Sequence, residues 1–363
     1  PMPTADWTTI SQSWPLPADP RPVCLVGAGG IVREAHLPAY RLAGIPVEGI
    51  CDLESGRAEA LAAGFGLPRV AADAAELISN APPDAVFDLA LPAGAHLGVL
   101  ELLPDGATVL IQKPMGDDLD GARAILECCR RKGLTAAVNH QLRFAPYCLY
   151  ARRLIDAGAI GELHAMEARV TVHTPWELWD FLQDAPRLEV QYHSIHYIDL
   201  IRSFLGEPRA VACMTRKHPG SAHLASVRTR AAFDYGPERS AGLDANHCHA
   251  YGPRHQESYL LWEGTRGAVR AVMGVNLDYP AGGADALEFC LLPEHGCAPE
   301  WRAVPLQGSW FPEAFIGTMA NLQRYAAGED AELWTSVEDV YRTMAVVEAC
   351  YRADAAGGVP VPD

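Results

Sequence analysis

From Val23 onward, short apolar runs alternate with amphipathic stretches. The runs VCLV (Val23–Val26), VEGIC (Val47–Cys51), AVFDL (Ala85–Leu89), TVLI (Thr108–Ile111) and LTAAV (Leu134–Val138) read as strands. Helical spacing fills the gaps at Ile31–Ala43, Ser55–Phe65, Ala74–Ser79, Ala95–Leu103 and Leu119–Arg131. Strands and helices taking turns at this interval predict an α/β unit with a parallel, doubly wound, Rossmann-type sheet. Nearly continuous apolar strands suit a sheet covered on both faces.

The rhythm changes after about residue 144. A helix over Pro146–Asp156 precedes a strand at Leu163–His173 and a helical stretch at Val190–Phe204. Alternating runs then follow without helices between them: Ala210–Arg216, Ser226–Tyr235, Ala241–Ala250, Ser258–Trp262, Ala268–Val272 and Leu287–Leu292. They predict an α+β domain with a large, mostly antiparallel sheet, one face of which needs a separate cover. Two helices, Phe311–Ala327 and Ser336–Ala355, follow, and Gly-Gly-Val-Pro stops the second. Residues 1–20 hold five Pro, Trp7 and Trp14 without helical period. They predict an arm lying on a domain or on a partner subunit. The expected division is therefore arm 1–20, doubly wound domain 21–143 and α+β domain 144–363.

Composition narrows the function. At roughly 150 residues per domain, 363 residues make about two. The net charge of −16 disfavours nucleic acid and anionic membrane surfaces as partners. No run approaches the ~18 apolar residues of a membrane span. The first twenty residues show neither a basic start nor an apolar stretch, so no secretion signal is expected. Ten scattered Cys without a CxxC pair predict free thiols in a reducing compartment, hence a cytoplasmic protein.

Val26-Gly27-Ala28-Gly29-Gly30-Ile31-Val32 joins the first strand to the first helix. Gly27 permits a tight turn, and Gly29 and Gly30 let the backbone approach a pyrophosphate at the helix N-terminus, beside Ile31. Val32 stands where the third Gly of GxGxxG falls, so helix and strand should pack slightly further apart. Asp52 closes the second strand, placed to accept bonds from the adenosine ribose hydroxyls. A helix N-cap or turn role is the structural alternative. Together these features predict a dinucleotide, and NAD before NADP, because a carboxylate repels a 2′-phosphate.

GAGGIVREAHLPAY, LPAGAHLGVL, IQKPMGDDLDGA, NHQLRFAP, HSIHYIDLIRSFLGEP, EGTRGAV and TSVEDVYRTMAVVEACYRA follow one another along the chain. In that order they resemble the Gfo/Idh/MocA oxidoreductases, from about Val23 to the C-terminus. The resemblance implies an NAD-dependent sugar or polyol dehydrogenase that forms a homodimer or homotetramer. It adds Leu91, Pro92, His96, Gln112 and Lys113 to the cofactor residues. Two positions depart from the family pattern: Gln112 stands for the Glu of Glu-Lys-Pro, and Tyr192 for an Asp four residues before the catalytic His.

Oxidising an alcohol removes a hydride from the hydroxyl-bearing carbon and a proton from its oxygen. Lys113 follows a parallel strand and would point into the crevice beyond the strand ends, where a cation favours an alkoxide. Spacing sets His196 and Tyr192 on one helical face, with Asp199 on the same side as a structural bond-maker and His193 about 100° around. His196 is the expected proton acceptor or relay, and Tyr192 takes part of the absent Asp's work; the alternative is that these are core polar residues satisfied by backbone. Arg143, His173, Trp176 and His193 are the substrate-binding candidates. For Arg143 a salt bridge is the alternative, and for His173, Trp176 and Trp179 core or interface packing.

His247 and His249 on one strand face, with His193 and His196, raise a zinc alternative, but no HExxH helix or carboxylate ligand supports it, and no metal is expected. The function predicted is NAD-dependent oxidation of a sugar or polyol hydroxyl. The alternatives are an NAD-retaining glycosidase or lyase, and a non-catalytic NAD/sugar sensor.

Overall fold

A computed structural model describes residues 6–293 and 297–361. The backbone forms two compact units, each discontinuous in sequence. One comprises Ser13–Ala145 and Trp310–Met344. The other comprises the described residues up to Gln12, Pro146–Ser309, and the chain from Ala345 on.

The first unit holds five parallel strands: β1 (Val23–Val26), β2 (Val47–Cys51), β3 (Val86–Leu89), β4 (Thr108–Ile111) and β5 (Thr135–Val138). Their order is β2-β1-β3-β4-β5. Nearly every strand residue is buried, as the unbroken apolar runs require. Helices α1 (Leu37–Ala43), α2 (Ser55–Phe65), α3 (Ala74–Ser79), α4 (His96–Leu102) and α5 (Leu119–Arg131) connect them. The first connection differs from the plain helix expected: a π-turn over Val32–His36 precedes α1.

Residues 310–344, placed by the sequence with the second domain, pack in this first unit. Phe315, Met319 and Leu322 of the helix Glu313–Ala326 share a core with Val23, Leu25, Tyr40 and Ile50. Gly317 makes the approach possible, since a Cβ there would lie 2.5 Å from Phe144 Cβ. Beyond the helix, Val138 donates its N–H to the Thr335 carbonyl at 2.8 Å, and Ala137 bridges Ser336 beside β5. The arm is tied down within the same unit. The Trp14 indole donates to Asp330 at 2.9 Å, and its ring meets Trp334 edge-on at 4.4 Å.

The second unit contains α6 (Pro146–Asp156), α7 (Asp180–Gln183), α8 (Ile195–Leu205) and eight strands. These are β6 (Leu163–Thr171), β7 (Ala210–Arg216), β8 (Arg228–Asp234), β9 (Ser240–Asn246), β10 (Glu257–Gly264), β11 (Gly267–Val272), β12 (Ala286–Leu291) and β13 (Glu300–Ala303). They run in the order β13-β12-β11-β10-β6-β9-β8-β7. Only β6 and β9 pair in parallel. Strict alternation buries Ala168, Val170, Leu260, Trp262, Val269 and Ala271 on one face. The opposite face carries Arg169, paired with Glu257 at 2.9 Å, Arg270, 3.6 Å from Glu288, and Tyr259, donating to Glu167 at 2.6 Å. Strand β13, fully exposed, was not expected from sequence. Here Gln12 anchors the arm, donating to the Pro305 carbonyl at 2.9 Å and accepting from Gln307 N–H at 3.0 Å.

Candidate active site

In the first unit, β1 ends in a loop only glycine can make. Gly27 has φ +109°, and a Cβ on it would meet the Ala90 carbonyl oxygen at 2.4 Å. A Cβ on Gly29 would meet nothing within 4 Å, and one on Gly30 only the Glu34 carboxylate at 3.9 Å. The missing side chains at 29 and 30 therefore leave room outside the protein. The Gly29 carbonyl accepts from Val32 N–H at 3.1 Å, starting the helical turn beside Ile31.

Asp52 closes β2 against this loop. Its Oδ2 accepts the Ala28 N–H at 2.7 Å, and its Oδ1 accepts the Glu54 N–H at 2.8 Å. The turn role weighed from sequence is thus present. A carboxylate has about four acceptor positions, so two bonds leave capacity for ribose hydroxyls.

Behind the loop lies a polar network that sequence reasoning missed. His36 Nδ1 is 2.7 Å from Asp88 Oδ2, and Tyr40 donates its hydroxyl to the same oxygen at 2.5 Å. All three side chains are buried, and burial, with the Asp88 charge second, pushes the Tyr40 hydroxyl well above its ordinary pKa. The signal was Asp88 itself, a lone acid inside an apolar strand.

The ends of β3 and β4 carry the remaining cofactor candidates. Leu91 packs alongside Gly27, Pro92 is exposed, and His96 opens α4 fully buried. Burial pulls His96 down to about 4, so the ring is neutral at pH 7. Gln112 accepts the Lys113 backbone N–H on Oε1 at 3.1 Å. Lys113 is half-buried and precedes a cis peptide to Pro114. Burial pulls its ammonium down to about 8.

Arg143 is engaged within its own unit. Its Nη1 donates to the Trp334 carbonyl at 2.5 Å, and its Nη2 to Asp339 at 2.6 Å. The salt bridge allowed for from sequence is what the structure shows. This guanidinium clamps the 141–144 turn to the chain after the helix Glu313–Ala326.

In the second unit, the stretch read as one helix begins with a π-turn, Val190–Ser194, before α8. A turn closed by i→i+5 bonds does not keep α-helical phase, so Tyr192 and His196 are not set one above the other by an unbroken helix as expected. Tyr192 packs against the apolar cluster of Trp176, Leu182, Leu188, Leu224, Val227 and Cys248, and meets Phe181 edge-on at 6.0 Å. His196 is buried at the start of α8. Asp199, also buried, lies 4.0 Å from Arg202, which Glu207 holds at 2.9 Å, so Asp199 sits among structural bonds.

The substrate candidates of this unit separate. His173 is exposed, because Val172 and Thr174 take the inward positions of the alternation. Trp176 is a core residue of the apolar cluster. Trp179 is half-buried, tilted against Tyr279 at 5.7 Å. His193 is half-buried and stacks on His247, with centroids 4.5 Å apart and planes at 19°.

His247 and His249 follow the end of β9 at Asn246 and flank Cys248, which bridges His173. Stacked rings present faces to each other, and among the described residues no group of three His, Cys, Asp or Glu could hold a metal ion. Sequence reasoning also missed Glu189 and Thr174, the buried partners of His247. Neither residue carries a motif.

Known proteins agree with this architecture. Residues 22–140 match the family model described as oxidoreductase family, NAD-binding Rossmann fold, and residues 148–270 match the GFO/IDH/MocA C-terminal domain. The chain belongs to the Gfo/Idh/MocA oxidoreductase family. D-apiose dehydrogenase of Paraburkholderia graminis is 26% identical over 340 residues, covering 90% of this chain and 86% of that protein. Levoglucosan dehydrogenase, solved with NADH and levoglucosan, superposes with a TM-score of 0.77 at 18% identity, over 93% of this chain and 98% of that one. An oxidoreductase from Agrobacterium radiobacter, solved with NAD+, L-tartaric acid and magnesium, gives 0.74 at 22% identity, over 93% and 97%.

As a Gfo/Idh/MocA oxidoreductase the chain uses NAD, and its own residues fit that group. The Gly27 turn excludes a side chain, the open ground above Gly29 and Gly30 admits a pyrophosphate, and Asp52 retains acceptors. No helix among the described residues is long and apolar enough to cross a membrane.

Proposed function

We propose that this chain oxidises a secondary or anomeric hydroxyl of a sugar or polyol. The observation that carries the reading is Lys113: a cation at the end of a strand of the dinucleotide sheet, with its proton affinity lowered by burial to about 8. A group so tuned exchanges protons near working pH, and its charge stabilises a developing alkoxide. Bound NAD supplies the hydride acceptor. Gly27, Gly29, Gly30 and Ile31 hold the pyrophosphate, and Asp52 the adenosine ribose. Leu91, Pro92, His96 and Gln112 flank the rest of the cofactor.

Lys113 lowers the pKa of the substrate hydroxyl, and His196 accepts its proton. Tyr192 orients the hydroxyl. His193 binds a further sugar hydroxyl, with Trp179 supplying an apolar surface. Arg143 and His173 stay outside the substrate set: the first is committed to Asp339 and Trp334, and the second faces solvent. The names of the dehydrogenases it resembles support a carbohydrate substrate. The half-covered face of the eight-stranded sheet supports a homodimer or homotetramer, and the free, mostly buried thiols support a cytoplasmic location. The reading is tested by sugar-dependent reduction of NAD across a panel of sugars and polyols. Verified NAD binding without reduction by any of them removes it.

A further inference from the structure

Glu189 is a fully buried carboxylate with no part in the hydride or proton chemistry. It stands immediately before the π-turn Val190–Ser194. Burying an acid forfeits its hydration, so the contacts that hold it matter. Its Oε1 accepts the Ser194 hydroxyl at 2.6 Å and lies 3.2 Å from His247 Nε2. Its Oε2 has no hydrogen-bond partner among the described residues. On the other side of the imidazole, Thr174 Oγ1 lies 2.8 Å from His247 Nδ1. With both nitrogens engaged, the His247 ring cannot turn without losing two bonds.

His193 lies on that fixed ring, at 4.5 Å between centroids, and Trp176 packs beside both at 4.8 and 5.5 Å. His193 is therefore constrained twice. Its chain neighbour Ser194 is tied to Glu189, and its ring rests on the imidazole that Glu189 and Thr174 hold. We propose that Glu189 and His247 are positioning residues that fix the His193 ring for a sugar hydroxyl, with Thr174 completing the clamp. The inference rests on the oxidoreductase reading, in which His193 belongs to the substrate set. A half-buried imidazole on an immobile platform offers its donor and acceptor edge in one direction, which suits a substrate whose hydroxyls differ only in orientation.

Two near-isosteric changes test it. Glu189→Gln keeps the volume and one acceptor oxygen but removes the charge, and Thr174→Val removes the partner of Nδ1. Each should raise the KM for the sugar at least fivefold, lower kcat no more than threefold, and leave the Kd for NAD unchanged. In a His193→Ala background neither should cause further loss, because the effect runs through that ring. A purely structural role predicts a lower Tm with an unchanged KM, and that result overturns the proposal, as do losses that multiply with those of His193→Ala. A second readout needs no substrate. In the full chain with labelled histidines, the His193 ring nitrogens, assigned by their loss in His193→Gln, should shift in both variants. Unmoved signals overturn the proposal even where turnover is found, and shifted signals sustain the clamp even where no sugar reduces NAD.

Discussion

The Asp52 carboxylate accepts the Ala28 N–H at 2.7 Å, tying the end of β2 to the glycine loop after β1. One side chain thereby ties the two strand ends together, and under the proposed function it also presents its charge to the adenosine ribose. NAD should bind at least tenfold tighter than NADP, since a 2′-phosphate would meet a like charge. Asp52→Ala should weaken NAD at least tenfold while bringing the two cofactors within threefold of each other. Titration by NADH and NADPH fluorescence checks both outcomes. Equal affinities in the unaltered protein would remove Asp52 from the ribose site.

Lys113→Ala should lower turnover by at least ~100-fold, the scale of a lost acid–base or charge-stabilising group, while NAD affinity stays within a few-fold. The ammonium is charged below about 8 and neutral above it. If its charge favours the alkoxide, kcat falls as pH rises through that value, and the residual activity of Lys113→Ala lacks this limb. His196→Ala should lower turnover on the same scale, with NAD affinity again within a few-fold. Full activity in Lys113→Ala would move the reaction centre elsewhere.

Tyr192→Phe separates orientation from proton transfer. The ring packs in the Trp176 cluster, so Phe preserves its packing and deletes only the hydroxyl. Turnover should survive with a raised KM for the sugar. A loss of kcat as large as in His196→Ala would make Tyr192 the proton carrier.

Much of this was legible in the chain because burial leaves a plain mark. The strands β1–β5 stand at the expected apolar runs, which Gly27, Asp52, Gln112 and Asn139 cut off at β1, β2, β4 and β5. Gly27 and Asp52 sit together in space as their spacing implied. The π-turns at Val32–His36 and Val190–Ser194 were illegible, since a turn one residue wider draws on the same residue types as an α-helix. Glu189 stands just before the helical stretch expected from sequence and carries no motif, and only the fold brings Thr174 and His247 to it. Strand β9 ends at Asn246 and not at Ala250, although single backbone bonds continue beyond it, with His249 donating its N–H to the Val172 carbonyl and Cys248 bridging His173. Residues 310–344 were assigned by chain order, although the apolar side of the helix Glu313–Ala326 belongs to the core around Leu25 and Tyr40.

The half-covered face of the eight-stranded sheet should bury against a second copy. Its outward positions mix Leu261, Val272 and Tyr259 with the Arg169–Glu257 and Arg270–Glu288 pairs, a composition suited to an interface. Light scattering at micromolar concentration should report a multiple of 39.2 kDa. Leu261→Arg should shift the protein toward the single chain. A mass of 39.2 kDa for the unaltered protein would leave the face to solvent.

The central claim is net oxidation of a sugar or polyol at the expense of NAD. The most direct measurement is the stoichiometry of NADH against product in one reaction of the purified chain with excess NAD and its best substrate. One NADH should form for each hydroxyl converted to a carbonyl or lactone. Cleavage of a glycoside with no NADH accumulating would contradict the account and show that the cofactor is only transiently reduced.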